Sequence, residues 1–113
     1  MLINGSTFSA STLFCNAVKG QSNIKLVGEE AGGGWYGNNG ILIPDIVLPN
    51  TKLIVRLPIF RLVQYNHVIK DGKGVEPDIF IPPTVDGVGK ELDRKMLIVK
   101  QIIKDSLQQN KLK

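Results

Sequence analysis

The opening segment alternates between short apolar runs and one stretch with helical periodicity. Residues 1–3 and 24–28 are mostly apolar and have the length of short strands. Between them, residues 9–20 repeat apolar side chains on one helical face. The members of that face are Leu13, Phe14, Ala17 and Val18. Gly20 is a typical C-terminal stop. The pattern predicts a βαβ unit with a right-handed crossover.

Residues 29–40 break both periodicities. Five glycines fall between positions 32 and 40. That density excludes a regular helix or strand, and it allows the backbone to approach a neighbour closely. A flexible surface loop is the simplest interpretation, although Trp35 and Tyr36 are unusual in a linker.

Residues 41–65 are rich in strand formers. A turn signal at residues 49–52 separates two apolar segments, which predicts a hairpin. Both faces of its second strand are partly apolar, so we expect the hairpin to be sandwiched or to lie at a sheet edge near Pro58. Residues 61–68 are compatible with a continuation of the same sheet.

The last third predicts a turn, a strand and a long helix. The turn is placed at residues 71–74, the strand at 75–81 and the helix at 90–109. One helical stripe is apolar and is expected to pack in the core; its members are Leu92, Met96, Val99, Ile103 and Leu107. The opposite face carries Lys95, Lys104 and Asp105.

Composition narrows the class of protein. A chain of 113 residues, 42% hydrophobic and 21% charged, fits one small globular domain rather than a disordered segment. The net charge of +4 comes with few aromatics and no arginine-rich run, which argues against nucleic-acid binding. No apolar run reaches the roughly 18 residues of a membrane span. The single Cys15 cannot form an internal disulfide and is expected to be a small buried residue.

Small residues and hydroxyls crowd the turn between the first strand and the first helix, at residues 4–12. Free N–H groups and the helix dipole favour negative charge at such a helix N-terminus. Acyl-transfer enzymes need a serine nucleophile with N–H donors aimed at the developing oxyanion. Serine and threonine are also the preferred helix caps, so a purely structural cap is the competing interpretation.

Four motifs occur in an order that resembles one known family. They are Asn4–Ser11, Val27–Glu30, Gly32–Gly34 and Gly72–Asp78. Together they resemble the S41 serine peptidases, the C-terminal processing or tail-specific proteases. The Gly-Glu-Glu-x-Gly-Gly loop and the Leu-Pro-Asn hairpin resemble the S41 proteins common in Bacteroidetes. The resemblance implies an α/β, crotonase/ClpP-like fold with a mixed sheet, a hairpin and a C-terminal helix.

The first strand starts without a preceding cap or turn, so we expect residues 1–113 to be a fragment. By the resemblance, it would be the C-terminal half of the catalytic domain.

The resemblance also assigns roles to residues. The nucleophile corresponds to Ser9, and the backbone N–H of Ala10 corresponds to one oxyanion donor, with a second donor expected from upstream sequence. Independently of the resemblance, the need for a third group makes Glu76 a candidate for orienting the general base, with a turn carboxylate beside Pro77 as the competing interpretation. The glycine loop and the hairpin at residues 41–60 would shape the substrate groove; the loop candidates are Gly32, Gly33, Gly34 and Trp35.

One position departs from the pattern of the processing proteases. Their general base is a lysine about twenty-five residues after the nucleophile, and Gly34 stands there in this chain. Either the base is a histidine from upstream sequence, as in the branch resembling tricorn protease, or the protein is an inactive module that binds peptides. His67 lacks a partner pattern, and neither Lys25 nor Lys73 lies in a context that would desolvate an amine. Asp78 is expected to close a turn.

The resemblance implies a polypeptide substrate, no metal and no cofactor. It also implies a periplasmic, secreted or lipid-anchored protein. A half-fold leaves apolar surface uncovered, so a homo-oligomer through the hairpin or the C-terminal helix is expected. A structural or assembly domain without a catalytic site is the third interpretation.

Overall fold

The computed structural model describes residues 1–64, 71–90 and 92–111. These residues form three helices: α1 (Ala10–Val18), α2 (Val85–Gly89) and α3 (Arg94–Lys111). They also form seven short strands: β1 (Leu2–Ile3), β2 (Val27–Gly28), β3 (Gly37–Asn38), β4 (Asp45–Val47), β5 (Ile54–Arg56), β6 (Leu62–Val63) and β7 (Ile79–Phe80). The chain is therefore a mixed α/β fold, as the sequence predicts.

A three-stranded parallel sheet is the centre of the fold. The strand order is β1-β2-β7, and Val27 of the middle strand lies opposite Leu2 on one side and Ile79 on the other. Helix α1 joins β1 to β2, so the predicted strand-helix-strand unit is confirmed. The strands predicted at residues 24–28 and 75–81 are each reduced to two paired residues.

The apolar core is small and lies between this sheet and α1. Its members are Ile3, Cys15, Val18, Leu26, Ala31 and Val75. Cys15 is fully buried, as expected, and burial raises the pKa of its thiol. The predicted core face of α1 is wrong in part: Val18 is buried as expected, but Phe14 is 56% exposed, whereas Thr12 and Asn16 are buried. The helix packs against loop backbone, where short polar side chains find carbonyl partners.

Asp78 fastens β7 to the chain entering β2, so its role is structural as expected, but it joins two strands rather than closing a turn. Its Oδ2 accepts the backbone N–H of Leu26 at 2.8 Å, and its own N–H donates to the Leu26 carbonyl at 2.8 Å. The ammonium group of Lys19 lies 3.7 Å from Oδ1. The hydrogen bond from Leu26, aided by Lys19, lowers the pKa of the Asp78 carboxyl.

The hairpin of β4 and β5 forms a separate antiparallel sheet, with Asp45 opposite Arg56. Its turn closes where the Leu48 N–H donates to the Leu53 carbonyl at 2.9 Å. Every residue of both strands is exposed, so the expectation of a sandwiched hairpin is wrong. The molecule is elongated, with a longest extent of 71 Å and a radius of gyration of 19.3 Å, compared with about 13 Å for a compact chain of this size.

The segment after the hairpin pairs elsewhere. Strand β6 forms its own two-stranded antiparallel sheet with β3, so it does not extend the hairpin sheet as expected. Residues 65–68 of the segment predicted at 61–68 lie outside the described residues.

The C-terminal helices correct the predicted packing. Helix α2, which the sequence did not predict, begins where the Gly87 N–H donates to the Thr84 hydroxyl at 3.2 Å. Helix α3 contacts β2, and Lys95, on the face expected to be solvated, forms an ion pair with Glu29. The stripe expected in the core is mostly exposed; four of its members have exposed fractions between 39% and 59%, namely Leu92, Met96, Ile103 and Leu107. None of the described helices is long and apolar enough to cross a membrane.

The Asp78 contacts predict acid sensitivity. A lowered pKa means that the carboxylate stabilises the fold above its unfolded pKa of about 3.9, and that this stabilisation is lost as the pH falls through the folded pKa. Asp78→Asn should lower the free energy of unfolding by about 1–2 kcal/mol at pH 7 and by much less at pH 3. Urea unfolding at the two pH values measures this difference. The control is Asp45→Asn, which breaks an exposed ion pair with Arg56 and should cost less than about 0.5 kcal/mol. Equal losses at both pH values would contradict the assignment.

Candidate functional site

The turn that leaves β1 closes on itself through the first residues after the strand. The Thr7 N–H donates to the Asn4 carbonyl at 2.9 Å, and the Ser6 N–H donates to Asn4 Oδ1 at 2.9 Å. The Asn4 N–H in turn donates to Thr7 Oγ1 at 3.1 Å. These bonds close residues 4–7 into a tight loop, and Phe8 and Ser9 then lead into α1.

Ser9, the residue directly before α1, has a strained backbone conformation. Its φ is 53° and its ψ is −123°, a region that favours glycine and costs a residue with a side chain on the order of 1–3 kcal/mol. An ordinary capping serine has extended dihedrals and accepts a helix N–H with its hydroxyl. Ser9 does neither, and its side chain is exposed with no hydrogen-bond partner in the described part of the chain. The purely structural cap interpretation is therefore wrong for this serine.

One backbone N–H beside Ser9 is left without an acceptor in the described part of the chain. The N–H groups of Ser11 and Leu13 donate to the carbonyls of Phe8 and Ser9, both at 3.1 Å. The N–H of Ala10 has no acceptor among residues 1–64, 71–90 and 92–111. An N–H at the first position of a helix, next to an exposed hydroxyl, is placed to stabilise a negative charge that develops on a bound carbonyl.

The glycine-rich segment is ordered. The Ala31 N–H donates to the Val75 carbonyl at 3.0 Å, and the Trp35 N–H donates to the Lys73 carbonyl at 3.0 Å. Glu30 adds a carboxylate acceptor for the Gly74 N–H at 2.6 Å. These bonds tie residues 30–35 to residues 73–75, so the expectation of a flexible surface loop is wrong.

Gly33 packs directly on the serine turn. Its N–H donates to the Thr7 carbonyl at 2.9 Å. A Cβ atom at this position would overlap the Thr12 hydroxyl and lie 3.1 Å from the Ser9 backbone nitrogen. Gly34 is different, because a Cβ there would meet only the Lys73 carbonyl, at 3.9 Å. Packing therefore requires glycine at position 33, whereas position 34 has room for a side chain.

Gly32 is exposed, but its backbone lies against the same turn. A Cβ there would overlap the Gly5 carbonyl and come within 2.6 Å of the Phe8 ring. The structure thus brings two of the predicted groove glycines, Gly32 and Gly33, to the turn that carries Ser9.

Trp35 anchors the end of this loop. Its indole Nε1–H donates to Asp71 Oδ1 at 3.2 Å, and its side chain packs against the hydrophobic core. The Lys73 N–H, with a smaller contribution from the indole, lowers the pKa of the Asp71 carboxyl. The residue predicted to line the substrate groove is thus fixed by both its ring and its backbone.

Glu76 lies near the C-terminal end of α1, opposite the end that carries Ser9. Its backbone carbonyl accepts a hydrogen bond from the Lys19 ammonium at 2.5 Å, just after the helix ends. Nine helical residues span roughly 13 Å, which separates this contact from the Ser9 end of the helix. No hydrogen bond joins Glu76 to Ser9 within the described residues.

The other candidate bases are not brought to Ser9. Lys25 and Lys73 are exposed and make no side-chain hydrogen bond or ion pair with other described residues. His67 lies outside the described residues.

Sequence reasoning missed two buried polar residues on α1. Thr12 Oγ1 donates to the Thr7 carbonyl at 2.9 Å, and Asn16 Nδ2 donates to the Trp35 carbonyl at 3.0 Å. Their spacing of four residues puts them on one helical face. Two polar residues four positions apart in a mostly apolar helix were the feature of the sequence that indicated a buried polar face.

Some hydrolases present a serine nucleophile on a strained turn between a strand and a helix. The sequence model of peptidase family S41 matches residues 1–81. The chain therefore belongs to peptidase family S41, which confirms the resemblance at the level of the family. No curated protein matches the chain.

The contrast between neighbouring glycines gives a direct test of the site geometry. Gly33→Ala should lower the free energy of unfolding by about 1–3 kcal/mol, because the new methyl group overlaps the Thr12 hydroxyl. Gly34→Ala is the matched control and should change it by less than about 0.5 kcal/mol. Urea unfolding of both variants measures the difference. Equal effects would show that the packing of Gly33 on the Ser9 turn is not as described.

Proposed function

We propose that this chain carries the nucleophile of a serine endopeptidase that cleaves polypeptides through an acyl-enzyme intermediate. The observation that carries the proposal is the backbone of Ser9. A glycine-like conformation is maintained at a residue with a side chain, and that side chain is exposed without a hydrogen-bond partner among the described residues. Strain of this kind persists where the surrounding contacts impose it, and it concentrates at active sites.

The chemistry follows from the positions of the described groups. Ser9 Oγ attacks the scissile carbonyl carbon while a general base takes the hydroxyl proton. The oxyanion of the tetrahedral intermediate lies against the Ala10 N–H and is stabilised by the positive end of α1. Collapse expels the amine, which receives the proton from the base. Water then attacks the acyl-enzyme by the same route and releases Ser9.

We propose that sequence outside the described residues supplies the base. In support, no described lysine or acidic side chain hydrogen-bonds to Ser9, and the lysine position of the processing proteases is Gly34. A side chain at position 34 would meet only the Lys73 carbonyl, so the packing there neither requires nor excludes a lysine. We propose with this that the chain is the C-terminal half of a crotonase/ClpP-like domain, whose upstream sequence supplies the base.

We propose that the hairpin accepts extended polypeptide by strand addition. Strands β4 and β5 pair only with each other among the described strands, so each has a free edge of backbone donors and acceptors. Peptide strands bind such edges through main-chain hydrogen bonds, which suits an endopeptidase acting on varied sequences.

Covalent labelling tests the nucleophile. A fluorophosphonate probe, which reacts with activated serines, should modify Ser9 in the full-length protein. Peptide mapping by mass spectrometry locates the label. Ser9→Ala should abolish the modification, and Ser11→Ala, two residues along the same motif, should retain it.

The outcomes separate the two classes of function. A label at Ser9 would mean an activated nucleophile and would direct the search for the base to upstream sequence. Absence of labelling in a protein whose circular dichroism shows the native fold would contradict the enzyme and favour the peptide-binding module.

We also propose that two copies of this chain associate through the hairpin. Twelve large apolar side chains between positions 41 and 60 are each 37–65% exposed; they are Ile41, Leu42, Ile43, Ile46, Val47, Leu48, Leu53, Ile54, Val55, Leu57, Ile59 and Phe60. Taking a large apolar side chain at somewhat under 200 Å², their exposed surface is on the order of 1,000 Å². A standard interface needs about 800 Å² per partner, so one hairpin carries enough apolar surface for a dimer.

Sedimentation tests this association. The 113-residue chain should sediment as a dimer at concentrations of tens of micromolar, and Ile54→Lys should shift it toward monomer. Leu107→Lys, which introduces the same charge on an α3 residue of similar exposure, should leave the dimer intact. A shift only in the Leu107 variant would move the interface to the C-terminal helix. Monomeric wild-type chain would contradict the association.

A further inference from the structure

Beyond Ser9 itself, we infer that Thr12 is the positioning residue of this site, and that its hydroxyl locks the nucleophile turn to the glycine loop. The inference deepens the proposed function and rests on it. It is carried by a buried hydroxyl that contacts both segments at once.

Thr12 is buried deeply enough for its hydroxyl to require a partner. The residue is 1% exposed and lies in the first turn of α1, three residues after the exposed Ser9. Its Oγ1 donates to the Thr7 carbonyl at 2.9 Å. Burying a hydroxyl costs free energy unless the hydroxyl is hydrogen-bonded, a cost that a valine of equal size would not have.

The Thr7 carbonyl is the shared acceptor. It receives the Thr12 hydroxyl at 2.9 Å and the Gly33 N–H at 2.9 Å. Both lone pairs of this one oxygen are therefore used, one by α1 and one by the glycine loop. The carbonyl lies two residues before Ser9, so its two bonds restrict the backbone that enters the strained serine.

The Thr12 hydroxyl also sets how closely the glycine loop approaches. A Cβ at Gly33 would overlap Thr12 Oγ1 and would lie 3.1 Å from both the Phe8 Cα and the Ser9 nitrogen. The loop backbone is thus held between the hydroxyl and the chain leading into Ser9. Loss of the hydroxyl would free both the turn and the loop to shift.

Asn16 provides a second anchor from the same face of α1. Its Nδ2 donates to the Trp35 carbonyl at 3.0 Å, two residues beyond Gly33. One helical face therefore holds the glycine loop at two points, and of these two bonds the Thr12 one also reaches the Ser9 turn. This difference makes Thr12, rather than Asn16, the residue whose loss should affect the nucleophile.

The consequence for reactivity is geometric. The positive φ of Ser9 persists only while neighbouring contacts impose it. Misplacement of a reacting group by about 1 Å can cost about a hundredfold in rate. Removal of the Thr12 hydroxyl should therefore slow the reaction at Ser9 by at least about tenfold, without touching the reacting atoms.

The experiment compares three variants of the full-length protein with wild type. Thr12→Val removes the hydroxyl at constant volume, and Thr12→Ser restores it. Ser106→Ala is the control, because it deletes a hydroxyl-to-carbonyl bond of the same 2.9 Å length in α3. The readouts are the rate of fluorophosphonate labelling of Ser9, the melting temperature, and the hydrogen exchange rate of the Gly33 amide.

We expect the Thr12→Val variant to be labelled at least tenfold more slowly than wild type and to exchange its Gly33 amide several-fold faster. Thr12→Ser and Ser106→Ala should both label like wild type. Wild-type labelling in a folded Thr12→Val variant would overturn the inference. If that variant unfolds, the Thr12→Ser variant decides, because slow labelling with a native melting temperature would show that the hydroxyl is not what matters.

Failure of the proposed function gives a different result. If wild-type protein does not label at Ser9, the peptidase proposal fails by itself. The Gly33 amide then tests the lock directly, because unchanged exchange in Thr12→Val would overturn it and faster exchange would support it.

Discussion

The parallel pairing of β1 with β2 is the constraint on which the rest of the structure depends. Parallel strands end at the same edge of a sheet, so the segments that leave them emerge side by side. The Ser9 turn follows β1, and the glycine loop follows β2. Because the pairing register is fixed with Ile3 opposite Gly28, the two segments start next to each other, and their contact through the Thr7 carbonyl follows. A sheet with only two residues per strand has few hydrogen bonds to hold its register. Asp78 adds one, from the residue before β7 to Leu26 just before β2.

Local pattern predicted the opening strand, helix and strand, the hairpin and the C-terminal helix, but it missed β3 and α2 and misjudged which faces are buried. The strand, helix and strand of the opening segment follow directly from apolar spacing and from Gly20. The burial of Thr12 and Asn16 could not be predicted by the same spacing, since it depends on two carbonyls that the fold brings to the helix, one from the turn before it and one from the glycine loop. The exposed stripe of α3 has a related cause. That helix meets the body through an ion pair and a few contacts to β2, neither of which a hydrophobic periodicity can reveal.

In the candidate site, too, some features could be predicted from the sequence and others depend on packing. Ser9 and the glycine loop were found because a motif records them. The strain at Ser9 and the exclusion of side chains at Gly33, in contrast, are properties of packing. The motif also could not distinguish Gly33 from Gly34, although only the first is required by its neighbours. A departure from the family pattern at the tolerant position is therefore compatible with the fold.

The anchoring of Trp35 has an optical consequence. It is the single tryptophan of the chain, and its ring sits at the junction of the core, the glycine loop and the turn that holds Asp71. Its intrinsic fluorescence therefore reports on one place only. Any event that pulls this loop away from α1 would move the indole from apolar packing into water and shift its emission to longer wavelength, so the protein carries a built-in spectroscopic marker for the state of the loop beside Ser9.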